Sequence, residues 1–185
     1  MAEEPDLMSR EIEEELRRER LLKFWDRYGT YIVGGLVVMV LGVAGWQYYG
    51  YRQARANEAA SNQYIIALTD FAAKRSYDAQ KALEELLAKA PSGYATLARL
   101  RLAAYDGAEG NTAEALATYD RIAKDKSVDP LLSDFARLQS AMLKFDKASF
   151  TELRNQLSPL ATDKGPWRHS ARELLGLGAS KAGRP

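Results

Sequence analysis

The chain has no cysteine and a single histidine, His169, among 185 residues. The first absence excludes a disulfide framework, a thiolate zinc site and a cysteine nucleophile. The second leaves a histidine-based metal site or a His-activated nucleophile without its partner. His169 falls in the first turn of an expected helix and reads as a surface residue. No Gly-rich phosphate loop, nucleophile elbow or carboxylate–metal motif occurs. Glu84-Glu85 and Asp125-Lys126 read as helix-surface charges. No catalytic, metal-binding or cofactor-binding residues are therefore expected, and the chain is not expected to be an enzyme. A formal net charge of +1 provides no field for nucleic acid. Proline is also scarce, at six residues, and Pro91, Pro130, Pro159 and Pro166 sit where helices are expected to end or begin.

One segment lacks charge altogether. Tyr28 to Tyr51 reads YGTYIVGGLVVMVLGVAGWQYYGY, bounded by Arg27 and Arg52. As a helix it would extend about 36 Å, enough to cross a hydrocarbon core of about 30 Å with some tilt. Tyr28 and Tyr31 mark one end; Trp46, Tyr48, Tyr49 and Tyr51 mark the other, as in the aromatic belts of membrane interfaces. Gly35, Gly42 and Gly45 fall near one face but form no GxxxG, so no helix-dimer motif is read. A cleaved signal would have a shorter apolar run starting soon after a brief basic stretch. Here 27 residues with six Lys/Arg and nine Asp/Glu come first. The run is read as a transmembrane anchor at residues 28–51, in contact with the lipid bilayer.

Lys and Arg near the ends orient it. Arg17, Arg18, Arg20, Lys23 and Arg27 lie within 15 residues on the N-terminal side, against Arg52 and Arg55 on the other. This bias predicts a cytoplasmic N-terminus and, in a bacterium, a periplasmic C-terminal domain. Residues 1–27 are read as a cytoplasmic charged segment. A solvated helix over 9–24 is expected there, started by Ser9 and laced by the pairs Glu13–Arg17, Glu14–Arg18 and Glu19–Lys23.

Residues 52–185 read as helices throughout. Ala and Leu dominate, and no stretch alternates as a strand would. Asn111 with Glu114 and Ser149 with Glu152 have capping-box spacing. Asp129-Pro130 and Gly165-Pro166 place proline at a first helical position. The segment also resembles itself. Ala98, Ala136 and Ala171 each precede an arginine and recur at 38 and 35 residues; Ala82, Leu86 and Ala90 match Ala115, Tyr119 and Ala123 at 33, then Ser149, Leu153 and Leu157 at 34. Two interleaved helix patterns with a period near 34 are the signature of tetratricopeptide-type hairpins. The expected fold is all-α: one N-terminal transmembrane helix followed by a tetratricopeptide-like helical-hairpin solenoid. Leu102 and Tyr119 are expected to be buried between paired helices.

The final helix, 167–182, has no following mate. Leu174 and Leu177 are expected to form an exposed patch for a partner or for a second copy of the chain in a homodimer; a helix folded back as a cap is the alternative. Trp167 is a further candidate partner-binding residue, read mainly as packing between repeats. Tyr64, Phe71, Tyr77, Tyr94, Tyr105 and Tyr119 are read as core, with some lining a peptide groove.

The layout resembles the ancillary SecYEG translocon subunit family, the YfgM-like proteins. The residues carrying the likeness are Lys23-Phe24-Trp25, the exit Ala44-Gly45-Trp46-Gln47-Tyr48, and the later segment GPWRHSARELLGLGASKAG. The resemblance implies an inner-membrane protein that associates with the SecYEG channel and with a membrane-anchored periplasmic chaperone of the prolyl-isomerase type. Its role would be to help emerging secreted chains reach periplasmic chaperones. The same architecture would also serve as a scaffold in another envelope complex, for division or outer-membrane assembly.

Overall fold

A computed structural model describes the backbone of residues 4–183, and side chains at Arg18 and from Leu22 onward. All of its regular elements are helices: α1 (Glu4–Ala72), α2 (Ser76–Lys89), α3 (Ser92–Ala108), α4 (Thr112–Lys124), α5 (Pro130–Lys144), α6 (Phe150–Leu157) and α7 (Arg168–Lys181). The chain divides into two compact units, Met1–Gln53 and Ala54–Pro185.

In the first unit α1 is already under way at Ser9, so that residue does not start it. Of the expected ion pairs, Glu13–Arg17 and the partners of Arg18 and Lys23 lie outside the described side chains. The charge-free run is helical throughout, and its apolar side chains are uncovered: Leu41 is 65% exposed and Trp46 82%. Gly35, Gly42 and Gly45 have no neighbour within 4 Å of where a Cβ would stand. Phe24 and Tyr28 meet ring to ring at 5.1 Å.

The second unit stacks hairpins. The end of α1 pairs with α2, α3 with α4, and α5 with α6; α7 packs on α5 and α6. Small residues set the spacing. Ala67, Ala79, Ala98, Ala103, Ala115, Ala136, Ala141 and Ala171 are fully buried, which lets helix axes approach closely. Leu83, Leu86, Leu100, Leu138, Leu153, Leu157, Tyr119 and Ile122 fill between them. A fully buried leucine of this kind contributes about 1.5–3 kcal/mol. Leu102, expected to be buried, is only partly so. Leu100 takes the interior place, because positions two apart on a helix point about 200° apart.

The repeat register also departs from expectation. On the second helices the buried sets are Ala79, Leu83 and Leu86, then Ala115, Tyr119 and Ile122, offset by 36. Leu153, Leu157 and Leu160 follow at 38. The expected offsets of 33 and 34 are one helical turn short. A turn is 3.6 residues, so Ala-Leu patterns slipped by three or four positions look alike in sequence. The turns confirm the larger offset. After α1, Lys74 N–H donates to Phe71 C=O (3.0 Å) and Arg75 N–H to Asp70 C=O (2.8 Å). After α3, Gly110 N–H donates to Gly107 C=O (3.4 Å) and Asn111 N–H to Asp106 C=O (2.8 Å). Both are Schellman turns 36 residues apart, with Lys74 (φ +60°) and Gly110 (φ +90°) in the left-handed position.

Caps follow local chemistry. Asp129 accepts from Leu131 N–H at 2.8 Å, with Pro130 at the first helical position. Ser149 Oγ accepts from Glu152 N–H at 3.2 Å. Asn111 makes no side-chain cap bond; its N–H closes the turn that ends α3. Pro166 lies before Trp167, ahead of α7 rather than at its first position. Helix α6 stops two residues before Pro159, which has no N–H to continue the helix; Ser158 between them keeps helical dihedrals (φ −56°, ψ −38°). The chain then tucks Leu160 into the core and turns back. Gly165 is required there: an added Cβ would stand 2.7 Å from Leu160 C=O.

Candidate functional site

The first helices of successive hairpins line an open groove. Tyr64 comes from the end of α1; Leu97, Leu100, Arg101 and Ala104 from α3; Leu131, Leu132, Phe135 and Gln139 from α5. Tyr119 of α4 and Trp167, just ahead of α7, complete the lining, around a volume of about 410 Å³. A smaller hollow of about 330 Å³ continues it through Ala104, Gly107, Ala108, Met142 and Leu143, sharing Tyr119 and Gln139.

Aromatic contacts hold the walls. Trp167 stacks on Phe135 with ring centres 5.0 Å apart, and its Nε1–H donates to Leu131 C=O at 3.0 Å. Phe71 meets Tyr105 at 5.2 Å, and the Arg101 guanidinium lies 5.0 Å from the Phe71 ring centre. Such a cation–ring contact fixes the guanidinium without neutralising it. Burial pushes the Tyr64 phenol above its ordinary range, and Arg101 pulls it partly back. Burial does the same to Tyr119, offset by Arg101 and reinforced by Asp106. Both phenols stay neutral donors at physiological pH.

A second cavity of about 430 Å³ lies by Ser92, Arg99, Asp125, Ser127 and Asp129. Its carboxylates hold the backbone. Asp125 accepts from Ser127 Oγ at 2.6 Å and Ser127 N–H at 2.9 Å, which lowers its pKa; Asp129 caps α5. At the α1–α2 turn, Asp70 is bonded to the Arg75 guanidinium, which raises the arginine's pKa. Among the described residues no three His, Cys, Asp or Glu side chains gather as a metal site. His169 is exposed.

The residues singled out from sequence separate here. Trp167, Tyr64 and Tyr119 meet in the groove. Phe71 and Tyr94 pack in the first hairpin's core. Tyr77, expected in the core or the groove, is 78% exposed. Leu174 is half-buried against Leu138, Leu153, Leu157 and their neighbours, so the expected two-leucine patch is reduced to Leu177. Helix α7 therefore folds back on the stack. Arg101, Leu131 and Phe135 were not marked by any motif; only the face they share brings them together.

Residues 22–176 match the family model of the tetratricopeptide repeat-like domain. The chain belongs to that family, whose domains mediate protein–protein interaction and are generally scaffolds rather than enzymes. Among curated proteins and among solved structures, nothing matches the chain.

Proposed function

We propose that this is a single-pass inner-membrane interaction protein, an ancillary subunit of the SecYEG translocon that helps secreted chains pass to periplasmic chaperones. One pairing carries the reading. A charge-free, uncovered helical run occurs in the same chain as a tetratricopeptide repeat-like domain with an open apolar groove. The Lys-Phe-Trp entry and Gly-Trp-Gln-Tyr exit of the run, which resemble the YfgM-like proteins, make the translocon the chosen partner. The prolyl-isomerase-type chaperone follows from the same likeness. Residues 28–51 serve as the anchor, 1–27 face the cytoplasm, and 52–185 face the periplasm, by the bias of Lys and Arg around the run. Trp167 is the partner-facing residue through the groove, and Leu177 offers a smaller apolar contact.

Affinity capture of the tagged chain from native bacterial membranes tests the partner. SecYEG should be recovered. Recovery of a division or outer-membrane assembly complex in its place would replace the translocon reading with a scaffold reading. A reporter fused after Pro185 should behave as periplasmic; cytoplasmic activity would reverse the topology.

A further inference from the structure

Between Ala59 and Thr69 the end of α1 carries no Asp, Glu, Lys or Arg, the longest such stretch in the hairpin unit. Its inward side is fully used. Ala60 and Ala67 are buried, Tyr64 and Phe71 pack in the first hairpin's core, and Gln63 Nε2 donates to Ala82 C=O at 3.3 Å. The opposite side is uncovered. Ile65 and Ile66 are each 57% exposed, and Asn62 and Thr69 are exposed too. Successive residues turn by about 100°, so the two isoleucines stand on either side of the line from Asn62 to Thr69. Thr69 Oγ donates back to Ile65 C=O at 2.9 Å, which satisfies the hydroxyl within its own helix. Other helices of the unit show charge to solvent, as Lys81 and Glu84 do on α2 and Glu114 and Arg121 on α4.

We propose that this face of α1 is the contact between two copies of the chain, lying parallel across a two-fold axis. The composition of the face matches itself. A two-fold sets Ile65 of one copy against Ile66 of the other, and the reverse, so apolar contacts flank the axis on both sides. On the axis Asn62 meets Asn62. A carboxamide carries both donors and an acceptor, so two of them bond each other, and one such amide in an apolar seam fixes register and the number of strands. Thr69 meets Thr69 further along. With no charge in the stretch, no like charges oppose each other across the axis, which is what prevents most surface helices from pairing with themselves. The parallel sense rests on the reading of residues 28–51 as the anchor: copies held in one bilayer enter it from the same side. A single helix face of this length buries less than the roughly 1,200 Å² of a stable soluble interface. Confinement to the bilayer makes up the difference by raising the local concentration of each copy for the other. Tyr64 lines the groove from the inward side of α1, so pairing leaves the groove open.

The chain has no cysteine, so single cysteines report the contact without background. The full chain is expressed in bacterial membranes with Asn62→Cys, Thr69→Cys, Leu177→Cys or Lys126→Cys, all at exposed positions. The membranes are oxidised in air with copper phenanthroline. A disulfide needs Cα atoms within about 7 Å, which a parallel pair provides along its axis. Asn62→Cys and Thr69→Cys should each give a disulfide-linked dimer on a non-reducing gel, and Lys126→Cys should stay monomeric. Adding Ile65→Asp with Ile66→Asp should abolish the Thr69→Cys dimer and leave the far-ultraviolet melt unchanged, because both side chains are exposed. Adding Ile65→Val with Ile66→Val should keep the dimer. Cross-linking at Asn62→Cys and Thr69→Cys no better than at Lys126→Cys overturns the pair. So does a cross-linked product whose mass is not that of two chains, which would place a different protein on this face. Dimers from Leu177→Cys in place of the α1 positions would move the contact to the last helix. Links formed only between Asn62→Cys and Thr69→Cys chains mixed together would show antiparallel copies and overturn the parallel two-fold. Carbonate extraction of the wild-type chain tests the anchor separately, and capture of SecYEG tests the partner.

Discussion

Two regions of this chain treat apolar side chains in opposite ways. Between Leu36 and Trp46 they stand on every side of one helix, and Val38, Met39 and Leu41 are about two-thirds exposed. From Ala54 onward the same residue types build a core, and Leu83, Leu86 and Leu157 have essentially no exposure. Both regions are helical and both are rich in Leu, Val and Ala. They differ in where the charges lie. The hairpins alternate charged and apolar positions around each helix, so each has one face to bury. The run at 28–51 has no charged face, so no orientation within a folded unit leaves it a wet side.

Four tests break or sharpen that contrast. The largest effect is expected at Leu157, which is fully buried between α5, α6 and α7. Leu157→Ala should cost about 2–5 kcal/mol in a urea melt of the hairpin domain, whereas Leu41→Ala should change that melt by less than about 0.5 kcal/mol. Equal losses would mean that Leu41 has a protein partner. Next, Val40→Arg should disfavour membrane insertion by about 2.5–3.5 kcal/mol. Full retention of that variant in the membrane pellet after carbonate extraction would argue against the proposed span. A matched pair of glycines comes third. A Cβ at Gly178 would stand 3.3 Å from Phe150 and 3.4 Å from Leu153, while Gly42 has open space. Gly178→Val should destabilise the hairpins by about 1–3 kcal/mol, and Gly42→Val should leave them unmoved. The smallest effect concerns backbone alone. Lys74 holds a left-handed turn that Gly110 holds in the next hairpin. Lys74→Gly should therefore stabilise the domain by about 1 kcal/mol, read as a raised Tm. An unchanged or lowered Tm would show that the lysine's side chain offsets its backbone strain.

The contrast explains what was legible in the sequence. An uninterrupted charge-free run is a one-dimensional signal, and it needs no partner to be seen. The small residues of the first helices were nearly as plain: Ala98, Ala136 and Ala171 are all fully buried. Ala98 and Ala136 are each the seventh residue of their helices while Ala171 is the fourth of its own, since α7 starts later relative to its buried alanine. Second-helix register was misplaced, since a pattern of Ala and Leu barely changes when slid by one turn. Asn111 had the letter of a cap, but its place is set by the turn that ends α3, and its side chain makes no cap bond. Arg101, Leu131 and Phe135 line the groove from α3 and α5, and a face shared by two helices leaves no mark on either one alone.

Trp167 joins parts of the chain that are far apart in sequence. Its indole bonds Leu131, 36 residues earlier, and stacks on Phe135, and all three line the groove. The consequence appears in local opening rather than in the resting structure. When α7 and the turn before it open, Trp167 leaves and the groove loses part of its lining, so an occupant that touches Trp167 binds best while the last helix is docked. Such an occupant lowers the hydrogen-exchange rates of α7 amides it never touches, by the factor through which it favours the docked state.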